Sequence, residues 1–246
     1  MSNTNNIQVG LIGKGYWGKI LLPKLEKISN VKFVCGSKDD YKIKLDLVDW
    51  VFIATPNNTH YEIVKHCIKS GKNVFCEKPL TPTYNQSKEL FKLAKKYNVK
   101  LYVDDVFNYR DETLNLHSIL NKKSKINVVW EKESNNKFYD MLYHDLYLLY
   151  PLLNKTITID WPNINNITFN YTGTSKLHTI NKINFTHTKY SNDALLKMIT
   201  KVLYENLNYE HNEKISLFCN KVIDKLKITL SNKNKLLYLN NDISRK

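Results

Sequence analysis

Along the first hundred residues, short apolar runs alternate with longer stretches whose apolar positions recur every three or four residues. Residues 7–12, 31–35, 48–54, 73–76 and 100–103 are brief and rich in β-branched or aromatic side chains. That is the pattern of strands buried on both faces. Between them, 17–28, 59–70 and 83–97 carry helical stripes. The second stripe comprises Ile63, Val64, Cys67 and Ile68 and stops at Gly71, whereas the third comprises Leu90, Phe91, Ala94 and Tyr97. Strands alternating with helices predict a parallel sheet with helices on both faces.

Beyond residue 110 the order changes. The pattern predicts a helix over 112–120, a strand over 126–130 and a helix over 138–150. Strands follow at 156–160, 167–171 and 180–188, then helices over 192–206 and 214–226 and a last strand at 236–239. This is an α+β order, so a domain boundary is expected near 120–125. The division is an α/β domain over 1–122 and a smaller α+β domain over 123–246.

Composition alters this picture little. Hydrophobic residues make up 42% and charged residues 24%, which excludes a disordered or collagen-like chain. No run approaches the roughly 18 apolar residues of a membrane span, and MSNTNN lacks the basic and apolar regions of a secretion signal. A cytoplasmic protein with no membrane partner is expected. Cys35, Cys67, Cys76 and Cys219 form no C-x-x-C pair, so they read as reduced, buried thiols. No spacing among the seven histidines suggests a metal site. The formal charge of +14 invites a polyanion partner, but of 37 basic residues only Arg110 and Arg245 are arginine. Bidentate recognition of phosphate and guanine leans on arginine, so a nucleic-acid function is not expected. The excess of Lys, Asn, Ile and Tyr follows A/T-rich codons equally well.

Chemistry first shows at Gly13, Gly15 and Gly18, a G-x-G-x-x-G turn directly after the first strand and at the mouth of the first helix. In that context the first glycine permits the turn, the second admits a pyrophosphate and the third lets helix and strand pack closely. The phosphates then meet the free N–H groups of the helix N-terminus. NAD-binding versions usually place an acid at the end of the second strand. Here that stretch reads Cys35-Gly36-Ser37-Lys38, with Asp39 and Asp40 late. Ser37 and Lys38 suit a 2′-phosphate, which tilts the expectation toward NADP over NAD.

Three more stretches complete an ordered set: Val51-Phe-Ile-Ala-Thr55-Pro56-Asn57-Asn-Thr-His60, Glu77-Lys78-Pro79, and Asp140-Met-Leu-Tyr-His144-Asp145. With the glycine turn, this set resembles the Gfo/Idh/MocA family, the glucose–fructose oxidoreductase and inositol dehydrogenase-like enzymes. The resemblance implies a Rossmann domain followed by an α+β domain with an open sheet. It implies hydride transfer between NAD or NADP and a hydroxyl or keto carbon of a sugar, nucleotide-linked sugar or cyclitol. The family's catalytic lysine matches Lys78, and its paired acid and histidine match Asp140 and His144. The cofactor pocket would draw on Gly13, Gly15, Tyr16, Trp17, Gly18, Ser37, Lys38, Thr55, Pro56, Asn57, His60, Glu77 and Lys78. The family often assembles through the outer face of the second domain's sheet, so a homo-dimer or tetramer is implied.

The residue types suit those roles. Oxidising a carbinol needs a group that takes the hydroxyl proton and a donor that steadies the developing alkoxide. His144 suits the first role, with Asp140 one helical turn earlier to fix the imidazole. Leu142, Leu146 and Leu149 are expected to anchor that helix. Lys78, just past a strand's carboxyl end, is expected to hydrogen-bond the reacting oxygen, and Pro79 stiffens its loop. Two departures stand out. Residues 37–50 leave room for little more than a bare crossover where the family carries a helix, and the glycine-rich run before the aspartate reads Ser134-Asn-Asn136. The second domain is short as well. The rival expectations are an inactive dinucleotide-binding sensor or partner subunit, and a polyanion-binding module.

Overall fold

Five short apolar runs pair as parallel strands, β1 (Gln8–Ile12), β2 (Asn30–Cys35), β3 (Trp50–Ile53), β4 (Asn73–Cys76) and β5 (Leu101–Val103), in the order β2-β1-β3-β4-β5. The computed structural model describes residues 7–113, 128–131, 138–152, 156–160, 177–180, 183–186, 193–231 and 236–240. The predicted strand at 167–171, residues 114–120 of the predicted helix and 134–136 lie outside them. β3 is buried at every position, as a central strand covered on both faces must be. Its neighbours in the register carry an aromatic ladder on one face. Phe52 faces Phe75, which faces Tyr102, with ring centroids 4.7 and 6.2 Å apart. The other face presents Val51, Ile53, Val74, Cys76, Leu101 and Val103, all in one core cluster.

Helices α1 (Tyr16–Ile28), α2 (Asn57–Lys69) and α3 (Tyr84–Lys96) connect the strands, within a residue or two of the predicted stripes. Leu21 and Leu25 of α1, Val64, Cys67 and Ile68 of α2, and Leu90, Phe91 and Ala94 of α3 are buried. From β2 to β3 the chain takes only a 3₁₀ stretch, Lys42–Leu47, as the short spacing predicts. Leu45 and Val48 pin it to the core, whereas Ile43 and Leu47 remain exposed.

By its contacts the chain forms two compact units, Met1–Asp104 with Leu195–Asn220, and Asp105–Ala194 with Lys221–Lys246. The first therefore recruits α5 (Ala194–Tyr204) and the first half of α6 (Tyr209–Ser231). Tyr209 meets Tyr102 edge-on, extending the aromatic ladder. Asn212 seals the edge of the sheet: its Oδ1 accepts from the Val103 N–H and its Nδ2 donates to the Val103 carbonyl, each at 2.9 Å. One side chain thus satisfies both free backbone groups of an edge position.

In the second unit, β6 (Val128–Glu131), β8 (Leu177–Ile180) and β9 (Ile183–Thr186) form an antiparallel sheet in the order β6-β8-β9, and β7 (Thr156–Asp160) pairs with β10 (Leu236–Asn240). Helix α4 (Phe138–Leu149) carries the acid–histidine motif. Its residues 143–148 are all buried, and Tyr143 and Tyr147 are among the largest fully buried side chains. Tyrosines therefore share with Leu146 and Leu148 the anchoring that sequence assigns to Leu142, Leu146 and Leu149. Leu142 is only half-buried, and the side chain of Leu149 lies outside the described residues. All four cysteines are buried, and none forms a disulfide. Among the described residues no helix is long and apolar enough to cross a membrane.

Candidate active site

β1 is the turning point of the sheet: the chain moves outward to β2 and then returns to β3 on the other side. Ligands of open α/β sheets bind at such a switch point, beyond the carboxyl ends of the strands. The glycine turn stands there, and its three glycines meet three different environments. Gly13 has φ +120, and a Cβ on it would overlap the Ala54 carbonyl. A Cβ on Gly18 would overlap the Gly13 carbonyl oxygen, so only glycine lets α1 start this close to β1. A Cβ on Gly15 would meet nothing within 4 Å. The second glycine therefore faces open space that a bulky anion at the start of α1 could fill. Tyr16 and Trp17 follow, both exposed and edge-to-face at 5.4 Å.

The loops after β3 and β4 lie side by side because those strands pair. His60, on the first turn of α2, ties them together. Its Nε2 is 2.8 Å from the Thr55 carbonyl oxygen and its Nδ1 is 3.1 Å from that of Pro79. Burial holds the ring below its usual pKa, against the pull of these carbonyls. His60 is thus an internal staple and not a residue that faces solvent. Thr59 Oγ1 bonds the Thr55 hydroxyl and the Pro56 carbonyl, which fixes the turn before Asn57. Asn57 Oδ1 is buried with no hydrogen-bond partner.

Glu77 and Lys78 follow β4, and the Lys78–Pro79 peptide is cis. Glu77 is 4% exposed and hydrogen-bonds to the buried Asp104 side chain at the end of β5. Two carboxyls in contact share a proton, and burial together with Asp104 pushes Glu77 well above the usual carboxylate range, with Lys78 opposing. Its Oε1 is also buried without a partner. Lys78 is half-buried. The dinucleotide fit rests on these details: a glycine cradle with room for phosphates, and orphaned acceptors on Asn57 and Glu77 for donors of the bound group.

At the end of β2, Ser37 and Lys38 are exposed. Asp39, late in the sequence, folds back. Its Oδ2 accepts from the Gly36 N–H at 2.7 Å and from Lys14 Nζ at 2.8 Å. The Gly36 amide and Lys14 hold its carboxyl below the usual range, and Asp39 in turn raises Lys14. An acid is therefore present at the strand end, three residues after the position where sequence looks for it.

Asp140 and His144 belong to the second unit. They share α4, but the Asp140 side chain lies outside the described residues. His144 is buried and stacks on Phe107, with centroids 4.2 Å apart and planes 12° from parallel. The Arg110 guanidinium carbon lies 3.3 Å from the centroid of the same ring. His144 Nδ1 is 2.8 Å from Tyr147 Oη. Lys14, Asp104, Phe107, Arg110 and Tyr147 all escape sequence reading. The available signals were weak: a second acid after β5 and a tyrosine three residues past the motif histidine.

Comparison with known proteins matches residues 22–105 to the model of an oxidoreductase family with an NAD-binding Rossmann fold. An uncharacterised oxidoreductase of Schizosaccharomyces pombe is 52% identical over 56 residues, 23% of this chain and 15% of that protein. Levoglucosan dehydrogenase of Pseudarthrobacter phenanthrenivorans is 31% identical over 134 residues, 43% of this chain and 34% of that protein. The chain thus matches well under half the length of either relative. Among solved structures, UDP-N-acetylglucosamine 3-dehydrogenase of Acidithiobacillus ferrooxidans superposes with a TM-score of 0.71 at 14% identity, over 90% of this chain and 97% of that one. That likeness is one of fold.

Proposed function

We propose that the chain is an NAD(P)-dependent oxidoreductase of sugar-type substrates, a reading supported by the match of residues 22–105 to the model of an oxidoreductase family with an NAD-binding Rossmann fold. It transfers a hydride between the nicotinamide and a hydroxyl or keto carbon of a sugar, nucleotide-linked sugar or cyclitol. One observation carries the reading: Gly13 and Gly18 are wedged against backbone while Gly15 opens onto free space at the switch point of the sheet. A purely structural turn has no need for the middle glycine. The levoglucosan dehydrogenase relative supports a sugar-type substrate.

When bound, the dinucleotide supplies the hydride acceptor or donor. The chain's residues do the rest. Gly13–Gly18 and the N-terminus of α1 hold the phosphates, with Tyr16 and Trp17 at the rim. Thr55–Asn57, stapled by His60 to the E-K-P loop, present the buried Asn57 Oδ1 to the nicotinamide end, where Glu77 Oε1 offers a second acceptor. Lys78 and His144 act on the substrate oxygen, one handling its proton and the other steadying its charge, and Asp140 supports His144. At the far end, Ser37 and Lys38 favour the 2′-phosphate of NADP, while the Asp39 carboxylate opposes it and suits the ribose hydroxyls of NAD.

The test is a titration of NADH and NADPH by fluorescence, followed by turnover on a panel of sugars, nucleotide-linked sugars and cyclitols. Lys78→Ala and His144→Ala should each lower kcat by roughly 10²–10⁴-fold, and His144→Ala should do so while leaving cofactor binding intact. Wild-type turnover in both variants would reject the assigned site. Cofactor binding without turnover on any panel member would favour the inactive sensor or partner subunit instead.

A further inference from the structure

We propose that Asn220 is a positioning residue for Lys78: from α6, its side-chain amide holds the loop on which that lysine stands. Asn220 Nδ2 donates to the Thr81 carbonyl at 2.9 Å, across 139 positions of sequence. Only the nitrogen end of the amide can meet a carbonyl, so the direction of this bond is fixed. Asn220 is 3% exposed, and its Oδ1 is buried with no hydrogen-bond partner among the described residues. What this side chain bonds is the loop.

The loop runs from Glu77 to Thr83, between β4 and α3, and three helices hold it. α2 holds its middle, where His60 Nδ1 lies 3.1 Å from the Pro79 carbonyl oxygen. α3 holds its end. Thr81 Oγ1 donates to the Thr83 carbonyl at 2.7 Å, which leaves its oxygen to accept from Ser87 Oγ, also at 2.7 Å. α6 supplies the third hold through Asn220. Between Thr81 and Lys78 stand Pro79, whose ring fixes φ, and Leu80, which is fully buried. A displacement of Thr81 therefore passes to Lys78 with little slack to absorb it.

The placement of α6 does not depend on Asn220. Two helical turns earlier, Asn212 bonds both main-chain groups of Val103. Glu213 pairs with Lys95 of α3 at 2.8 Å, and Leu217 packs against the core. Loss of the Asn220 amide should release the loop and leave the helix in place. It removes one buried orphan acceptor and strands another, the Thr81 carbonyl, so the two costs offset. The catalytic cost has no such offset, because misplacing a reacting group by about 1 Å can cost about 10²-fold in rate. The inference rests on the proposed function for the claim that Lys78 meets the substrate oxygen; the hold on the loop does not.

The test compares the full chain with Asn220→Ala and Asn220→Leu by hydrogen exchange, thermal melts and turnover, with Lys78→Ala alongside. Exchange over 77–83 should be at least about tenfold faster, with the rest of the first unit unchanged and Tm within about 4 °C of wild type. The kcat should fall about 10–100-fold, with KM within about threefold. Unchanged exchange over 77–83 in both variants overturns the hold. Wild-type kcat in both, where Lys78→Ala is impaired, overturns the positioning role and leaves the wider reading standing. Faster exchange throughout the first unit, with a larger drop in Tm, makes Asn220 a structural residue and overturns the inference as well. Wild-type turnover in Lys78→Ala overturns the reading beneath, and loop exchange then judges the hold by itself. Should Asn220→Ala fail to fold, Asn220→Leu, which leaves no cavity, decides.

Discussion

Gly15 and Gly18 carry the same side chain, stand three residues apart and should fail in opposite ways. A methyl on Gly15 meets nothing within 4 Å, and the residue's φ of −75 and ψ of −161 are open to alanine. Gly15→Ala should therefore leave stability within about 0.5 kcal/mol of wild type, or raise it slightly by restricting the unfolded chain. The same methyl occupies the space assigned to the pyrophosphate. Cofactor affinity should fall at least tenfold, about 1.4 kcal/mol. In Gly18→Ala the new Cβ overlaps the Gly13 carbonyl oxygen, a backbone atom that cannot swing aside. The α1–β1 packing must open, at a cost of about 3 kcal/mol, and Tm should drop by roughly 6–12 °C. Thermal melts without cofactor and fluorescence titration with NADH and NADPH separate the two effects. If Gly15→Ala binds either dinucleotide within twofold of wild type, the cradle is structural and the functional reading loses its main support. If it melts as low as Gly18→Ala, the open space is not there.

Three further outcomes follow from the first unit. Asn212→Ala strands the buried N–H and carbonyl of Val103, so Tm should fall by an amount equivalent to about 2–4 kcal/mol; an unchanged melt would mean that β5 repairs its edge without that side chain. Glu77 has a folded pKa raised above its unfolded value near 4.5, so its contribution to stability is full below that value and is lost as pH rises toward the folded pKa. In urea unfolding at pH 5 and pH 8, Glu77→Gln should flatten this decline, and a wild-type pH dependence in the variant would contradict the shared proton. Asp39→Asn removes a carboxylate from the end of β2 and releases Lys14, so the NADPH-to-NADH affinity ratio should rise, and a falling ratio would reverse the role given to Asp39.

Much of the first unit is legible without coordinates. The two-sided apolar runs that become β1 to β5 leave few alternatives, because a strand covered on both faces has no polar side to show. The stripes of α1, α2 and α3 are equally direct, and the G-x-G-x-x-G spacing between a strand and a helix locates the switch point. The short link from β2 to β3 is legible as well, since its length leaves no room for a full helix and the chain takes a 3₁₀ stretch, Lys42–Leu47.

Other features depend on which residues fold back onto which. Asp39 is three residues late for a strand-end acid, and only the turn at Gly36 returns its carboxylate to that end. His60 reads as a pocket residue, yet the parallel pairing of β3 with β4 places two carbonyls against its ring and buries it. Glu77 and Asp104 become a proton-sharing pair because β4 and β5 end side by side, a proximity that 27 positions of sequence conceal. Local pattern determines element type, because backbone propensity and burial act over a few residues. Protonation state and hydrogen-bond direction are set by neighbours distant in sequence, and only the tertiary structure supplies those neighbours.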